Sequence, residues 1–220
     1  MIGMQNISNR MGDVLLALGE AEKANIQPTR IQLQKFIYLY DVLGQVVGNL
    51  KLREGHKTYR NGPYDAAIQN AVDCLAFRGV VRIAGIWKTA SGSTGTKYAL
   101  AMPGQKLTSR LRETPEFARK VQVAKLVGSE LNELGWSRIV DLVYAEPTFV
   151  TTRPSGWGSS LSAEDGLVVS TAFIIAIMRR TVDMLYPSRE ATPEWIAERF
   201  FAYLDDYDRN YAMKIGTMET

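Results

Sequence analysis

The sequence predicts a mainly α-helical protein with one small β-hairpin. Three observations predict it. Apolar residues recur at helical spacing over most of the 220-residue chain; two short segments near residues 80–87 and 96–102 are instead β-branched or aromatic; and a Ser/Gly/Thr run, Ser91-Gly92-Ser93-Thr94-Gly95, separates those two.

Taken in order, Ser8 or Asn9 is placed to cap a first helix carrying Val14, Leu15 and Leu18 and ending near Ala24 and Asn25. After Pro28, Thr29 sits where an N-cap belongs, ahead of Ile31, Leu33, Phe36, Ile37, Leu39, Tyr40 and Leu43. That pattern is wide enough to bury a second helix, to about Val47, on more than one side. A basic connection leads to the turn Asn61-Gly62-Pro63. A third helix follows, with Ala67, Ile68, Ala71, Val72, Leu75 and Phe77 as its inward residues and Gly79 as its terminator. The hairpin comes next, its loop of a type that joins antiparallel strands. Helix, helix, helix, strand, loop, strand is the winged-helix order, expected over residues 1–112.

A second unit, a helical bundle used for interaction, is expected over residues 113–220. Pro103 opens a helix in its first turn, and the chain reads helical to Glu133 apart from Pro115, with Phe117, Val121, Ala124, Gly128 and Leu131 forming a seam. Residues 136–146 add a turn-bounded helix, and 147–162 read as a flexible loop carrying Trp157. An apolar helix over 163–186, capped by Ser162, and a last helix from Thr192-Pro193-Glu194 complete the chain.

Composition narrows the function classes. With 46% hydrophobic and 22% charged residues the chain is no disordered tail. The longest apolar run, Gly166 to Met178, falls short of the roughly 20 residues a spanning helix needs, so no membrane partner is expected. A single cysteine and no charged-then-apolar leader indicate a reduced, cytoplasmic setting. Charge divides unevenly, with fourteen Lys/Arg against seven Asp/Glu over residues 1–110 and twelve against sixteen over 111–220. The basic half is the one suited to an acidic partner or nucleic acid.

No catalytic residue, metal ligand set or cofactor is expected. His56 and Cys74 stand alone, Cys74 reads as an inert core thiol, and Asp205-Asp206-x-Asp208 reads as a solvated acidic face. The 91–96 run lacks the order of a phosphate loop. Candidate nucleic-acid contacts are Lys51, Arg53, Lys57 and Arg60, near His56, together with Lys88 and Lys97 beside the hairpin loop. Against sequence-specific readout, the outward residues of the third helix are Asp65, Gln69, Asn70, Asp73 and Arg78, and two carboxylates repel phosphates. A protein-binding module, or one touching DNA only through loops, fits better.

Candidate protein-binding residues are Tyr59, Asn61, Gly62, Pro63, Tyr64 and Asp65, a turn with two polar-tipped aromatics, and Trp157, a large aromatic on a Gly/Ser loop. A rigid corner and a packed lid are the competing readings.

The segments Leu33-Gln34-Lys35-Phe36-Ile37-Tyr38-Leu39 and Tyr59-Arg60-Asn61-Gly62-Pro63-Tyr64-Asp65 resemble those of a group of prokaryotic winged-helix proteins that share an LQK-aromatic helix and a Y-x-x-GPY turn. The group includes Panacea-type antitoxins and the middle components of ABC three-component defence systems of the Lamassu kind. The likeness covers roughly residues 8–112. The Panacea-type turn reads Tyr-Gly-Pro, so Arg60-Asn61 is a departure that points away from the antitoxin. The resemblance implies a non-enzymatic bridge between an SMC- or Rad50-like ATPase and an effector such as a nuclease, acting against phage or plasmid DNA. The alternative is a DNA-binding regulator or antitoxin.

Overall fold

The structure is a computed structural model. It describes residues 2–48, 55–90, 92, 94–152, 156, 158–161 and 192–218, with the side chains of 2–9, 48, 151 and 208–218 outside the description. Helix α1 (Ile2–Lys23), α2 (Arg30–Gly48) and α3 (Ala66–Phe77) precede the antiparallel hairpin β1 (Val81–Lys88) and β2 (Thr94–Leu100). Then come α4 (Met102–Glu113), a 3-10 turn (Pro115–Phe117), α5 (Ala118–Ala145), the short α6 (Pro147–Thr152) and α7 (Pro193–Met218). The protein is mainly helical with one small hairpin, as the sequence predicts.

The helix ends follow from local chemistry. Ser8 and Asn9 lie inside α1 rather than capping it, because no proline stands between Ile2 and Asn9 and such residues are only mildly unfavourable inside a helix. At the other end Asn25 takes a positive φ of 54°, the Ile26 N–H reaches the Ala21 carbonyl at 2.8 Å and the Asn25 N–H reaches that of Glu22 at 2.9 Å. That is a left-handed cap with asparagine in glycine's usual place. Thr29 caps α2 reciprocally: its hydroxyl accepts from the Gln32 N–H at 3.2 Å, and the Gln32 side chain accepts from the Thr29 N–H at 2.8 Å. Gly79, at φ 67°, closes α3 in the same manner as Asn25 closes α1, with the Val80 N–H on the Leu75 carbonyl.

Pairing in the hairpin runs from Val81↔Leu100 to Lys88↔Thr94, with a bulge between Ile83 and Gly85. The far edge of β2 meets the chain again, since Thr29 bridges Lys97 and the Tyr98 N–H donates to the Pro28 carbonyl at 2.9 Å. Met102, expected in the second strand, instead opens α4.

One apolar core joins Val14, Leu16 and Leu18 of α1, Phe36, Ile37, Leu39 and Leu43 of α2, and Ile68 and Val72 of α3 to Ala124, Val127, Leu131, Ile139 and Leu142 of α5 and Phe200 and Leu204 of α7. The expected α5 seam is buried at Val121, Ala124, Gly128 and Leu131, and Gly128 lies so close to α1 that a β-carbon there would stand 2.9 Å from Glu20. α5 bends at Gly135 (φ 75°), the boundary expected before the helix over 136–146. Residues 147–152, expected in a loop, form α6 with Phe149 in the core. Thr192 caps α7, its hydroxyl accepting from the Trp195 N–H at 3.2 Å. The expected helix over 163–186 lies outside the described residues.

Candidate interaction site

Tyr59 to Asp65 forms a corner held from beneath. Lys57 and Tyr64 exchange backbone hydrogen bonds of 2.9 and 3.0 Å, and Lys57 also bridges Ser160. Gly62 turns the chain at φ 103°, a conformation that favours glycine. Asp65 is the N-cap of α3, accepting from the Ala67 N–H at 2.8 Å, and its peptide is read by Gln34, whose amide donates to the Asp65 carbonyl and accepts from its N–H, both at 2.9 Å. The LQK segment and the GPY turn are thus in contact.

Asp65 is therefore buried, against the expectation that it faces outward from α3. The reason is Arg10, itself 1% exposed, which donates to Asp65 at 2.9 Å and to Asp41 at 2.6 Å and lies 3.4 Å from Asp13. Burial works against the Arg10 charge, but Asp41, Asp65 and Asp13 together hold its pKa above the ordinary value. Burial likewise opposes ionisation of Asp41, yet Arg10 and then His56 hold its carboxyl below the usual range. His56, expected among surface cations, is buried: its Nε2 lies 2.9 Å from Asp41 and its ring stands edge-on to Tyr38. Tyr38 in turn donates to Glu146 at 2.6 Å. These side chains have almost no solvent exposure, and the cluster cross-links α1, α2 and the corner.

Lys35 lies under the same corner. It is 3% exposed, its Nζ has no hydrogen-bond partner among the described residues, and it stands 3.8 Å from the Tyr144 ring centre. Burial pushes its pKa down from 10.5 to about 8.

On the outside, Tyr59 and Tyr64 sit 5.2 Å apart, with Tyr59, Arg60 and Asn61 exposed and Pro63 buried. Arg30 donates to the Tyr64 hydroxyl at 2.7 Å. Since its neighbour Thr29 bridges Lys97, the corner continues onto the hairpin. There Lys88 and Lys97 are exposed, as is Lys57 at the corner, and Trp87 lies over Gly95. Lys51, Arg53 and Trp157 lie outside the described residues.

Phe77 corrects the sequence reading most sharply: placed inward by its spacing, it is 95% exposed. It is the last residue of α3, where the helix has run past the core it packs on. Ile83 and Ile86 on β1 are also open, at 53% and 66%. Asp73 remains outward on α3 and bonds Gln69 at 2.7 Å, while Cys74 is half-buried. Asp205 forms a two-point pair with Arg138, and no group of three His, Cys, Asp or Glu residues suited to a metal ion occurs among the described residues. No described helix is long and apolar enough to cross a membrane.

Sequence reasoning missed Arg10, Asp13 and Asp41, and named Lys35 only as part of the LQK segment, without its place beneath the corner. Their signal is a charge on the apolar face of a helix, the position at which a buried ion must find a partner. No family model, curated protein or solved structure matches this chain.

Proposed function

We propose that the protein is a non-enzymatic interaction subunit: a winged-helix module, continued by helices packed on it, that docks larger proteins. The partners we propose are an SMC- or Rad50-like ATPase and an effector such as a nuclease, in a prokaryotic complex directed at phage or plasmid DNA. The observation that carries docking is the exposure of Phe77 at the end of α3 and of Ile83 and Ile86 on β1, large apolar groups of the kind that anchor protein interfaces, together with the exposed Tyr59 at the corner. The element order α1, α2, α3, β1, β2 supports the winged-helix reading.

The test is affinity purification of the tagged protein from its native host, with and without nuclease, followed by mass spectrometry. Nuclease-resistant recovery of an ATPase and an effector in stoichiometric amounts is expected. A Tyr59→Ala/Tyr64→Ala variant that stays folded yet keeps every partner overturns the role of the corner.

The exposure of Lys57, Arg60, Lys88 and Lys97 favours a second reading, a DNA-binding regulator or antitoxin. It requires duplex binding that weakens steeply with salt, and no binding at low salt rejects it.

A further inference from the structure

We propose that the outer edge of β1 is a strand-addition site for an extended segment of a partner protein in which apolar and acidic side chains alternate. The proposal rests on the reading of the protein as an interaction subunit and specifies what one of its surfaces takes.

The sheet has β2 on one side of β1, and β2 in turn meets Thr29 on its far side. On the other side of β1, no backbone partner occurs among the described residues. Eight residues at about 3.4 Å each leave an edge of about 27 Å carrying unpaired N–H and C=O groups. Such edges are ordinarily blunted, and here the bulge between Ile83 and Gly85 does so only in part. Ile83 pairs with Tyr98 and Ile86 with Thr96, which puts both isoleucines on one face of the hairpin. That face borders α3, since Gln69 donates to the Tyr98 hydroxyl at 3.4 Å. The same face carries Val81 at one end and Lys88 at the other, and Arg82 lies on the opposite face, so an added strand would set its alternate side chains beside Ile83 and Ile86 with a cation within reach on each face.

Charge selects the partner. No Asp or Glu occurs between Asp73 and Glu113, whereas Arg78, Arg82, Lys88 and Lys97 are all exposed around the hairpin. A second copy is a poor occupant: full antiparallel overlap of two β1 strands sets Arg82 of one copy one residue from Lys88 of the other at both ends, and like charges so placed repel. Nucleic acid would satisfy the cations but leave Phe77, Ile83 and Ile86 without a matching surface. An acidic, apolar strand meets both demands.

The test uses the full chain and three probes: a capped synthetic peptide alternating valine and glutamate, its valine/lysine counterpart, and a duplex DNA oligonucleotide. Binding is read by fluorescence anisotropy, and backbone protection by hydrogen exchange with mass spectrometry. The glutamate peptide is expected to bind at least about tenfold more tightly than the lysine peptide, and to slow exchange over residues 81–88 by a similar factor. An Arg82→Glu/Lys88→Glu variant, altered only at exposed positions, is expected to reverse the order of the peptides. Equal binding of the two peptides, protection confined elsewhere, protection of β1 by DNA alone, or a dimer whose β1 amides are already protected each overturns the proposal. If that variant retains every partner recovered from the host, the edge assignment fails while the interaction reading stands. Recovery of no protein partner, with the peptide still protecting β1, is the failure of the wider reading alone.

Discussion

The Lys35 ammonium lies 2.7 Å from the point where a β-carbon on Gly62 would stand. The LQK helix and the GPY turn therefore fit each other at atomic contact, one supplying a buried cation and the other the residue without a side chain. Gly62→Ala meets both a positive φ of 103° and that cation, and is expected to cost about 1–3 kcal/mol in urea unfolding. Lys35→Met in the same chain should recover the steric share and leave the backbone strain.

Lys35 also sets a pH dependence. Its folded pKa is lowered from 10.5 to about 8, so between those values the unfolded chain binds more protons and stability rises with pH. Below the folded value the cost of the buried charge is fully present. Lys35→Met is expected to raise stability at neutral pH by about 1–3 kcal/mol and to abolish the rise above pH 8. Urea melts at three pH values read both effects, and an unchanged slope in the variant contradicts the assignment.

Arg10→Met leaves Asp41 and Asp65 buried without their cation, whereas Asp13 keeps Lys120 at 2.9 Å. The expected loss is about 3–5 kcal/mol, with partial recovery when Asp41→Asn is added. The cluster also governs acid stability. The folded pKa of Asp41 lies below its unfolded value of 3.8, so its contribution is present above that value and is lost as the pH falls through the folded one. Asp41→Asn should flatten that acid limb.

Gly95→Ala places a β-carbon 2.2 Å from the Trp87 ring, which must leave its seat on the hairpin. The expected result is a red-shifted tryptophan emission difference between variant and parent, with a stability change below about 1 kcal/mol, because the site lies outside the core. An unshifted emission spectrum refutes it.

Most helices were legible because capping is local chemistry: Thr29 with Gln32, Gly79 after α3 and Thr192 before α7 act within a few residues. Phe77 was not, since spacing assigns a face but cannot tell where the neighbouring core stops. His56 and Asp65 were misplaced for a different reason. Each looks like a surface residue until Arg10, 46 and 55 residues away in sequence, is brought beside it by the packing of α1. Ion pairs of that separation leave no mark in a local window. The corner residues were recognisable through turn chemistry, whereas the Thr29 bridge that joins them to the hairpin is a property of the tertiary fold.

The corner is fastened late. The Thr58 hydroxyl donates to the Gly156 carbonyl at 2.6 Å and accepts from the Ser159 N–H at 3.1 Å, contacts that span 98 and 101 residues of chain. At about 5–20 residues per second of synthesis, roughly 5–20 s separate the emergence of Thr58 from that of its fasteners. During that interval α2 also waits for α5, whose Trp136 stands edge-on to Phe36. The corner is therefore among the last parts of the N-terminal half to be completed as the chain is made.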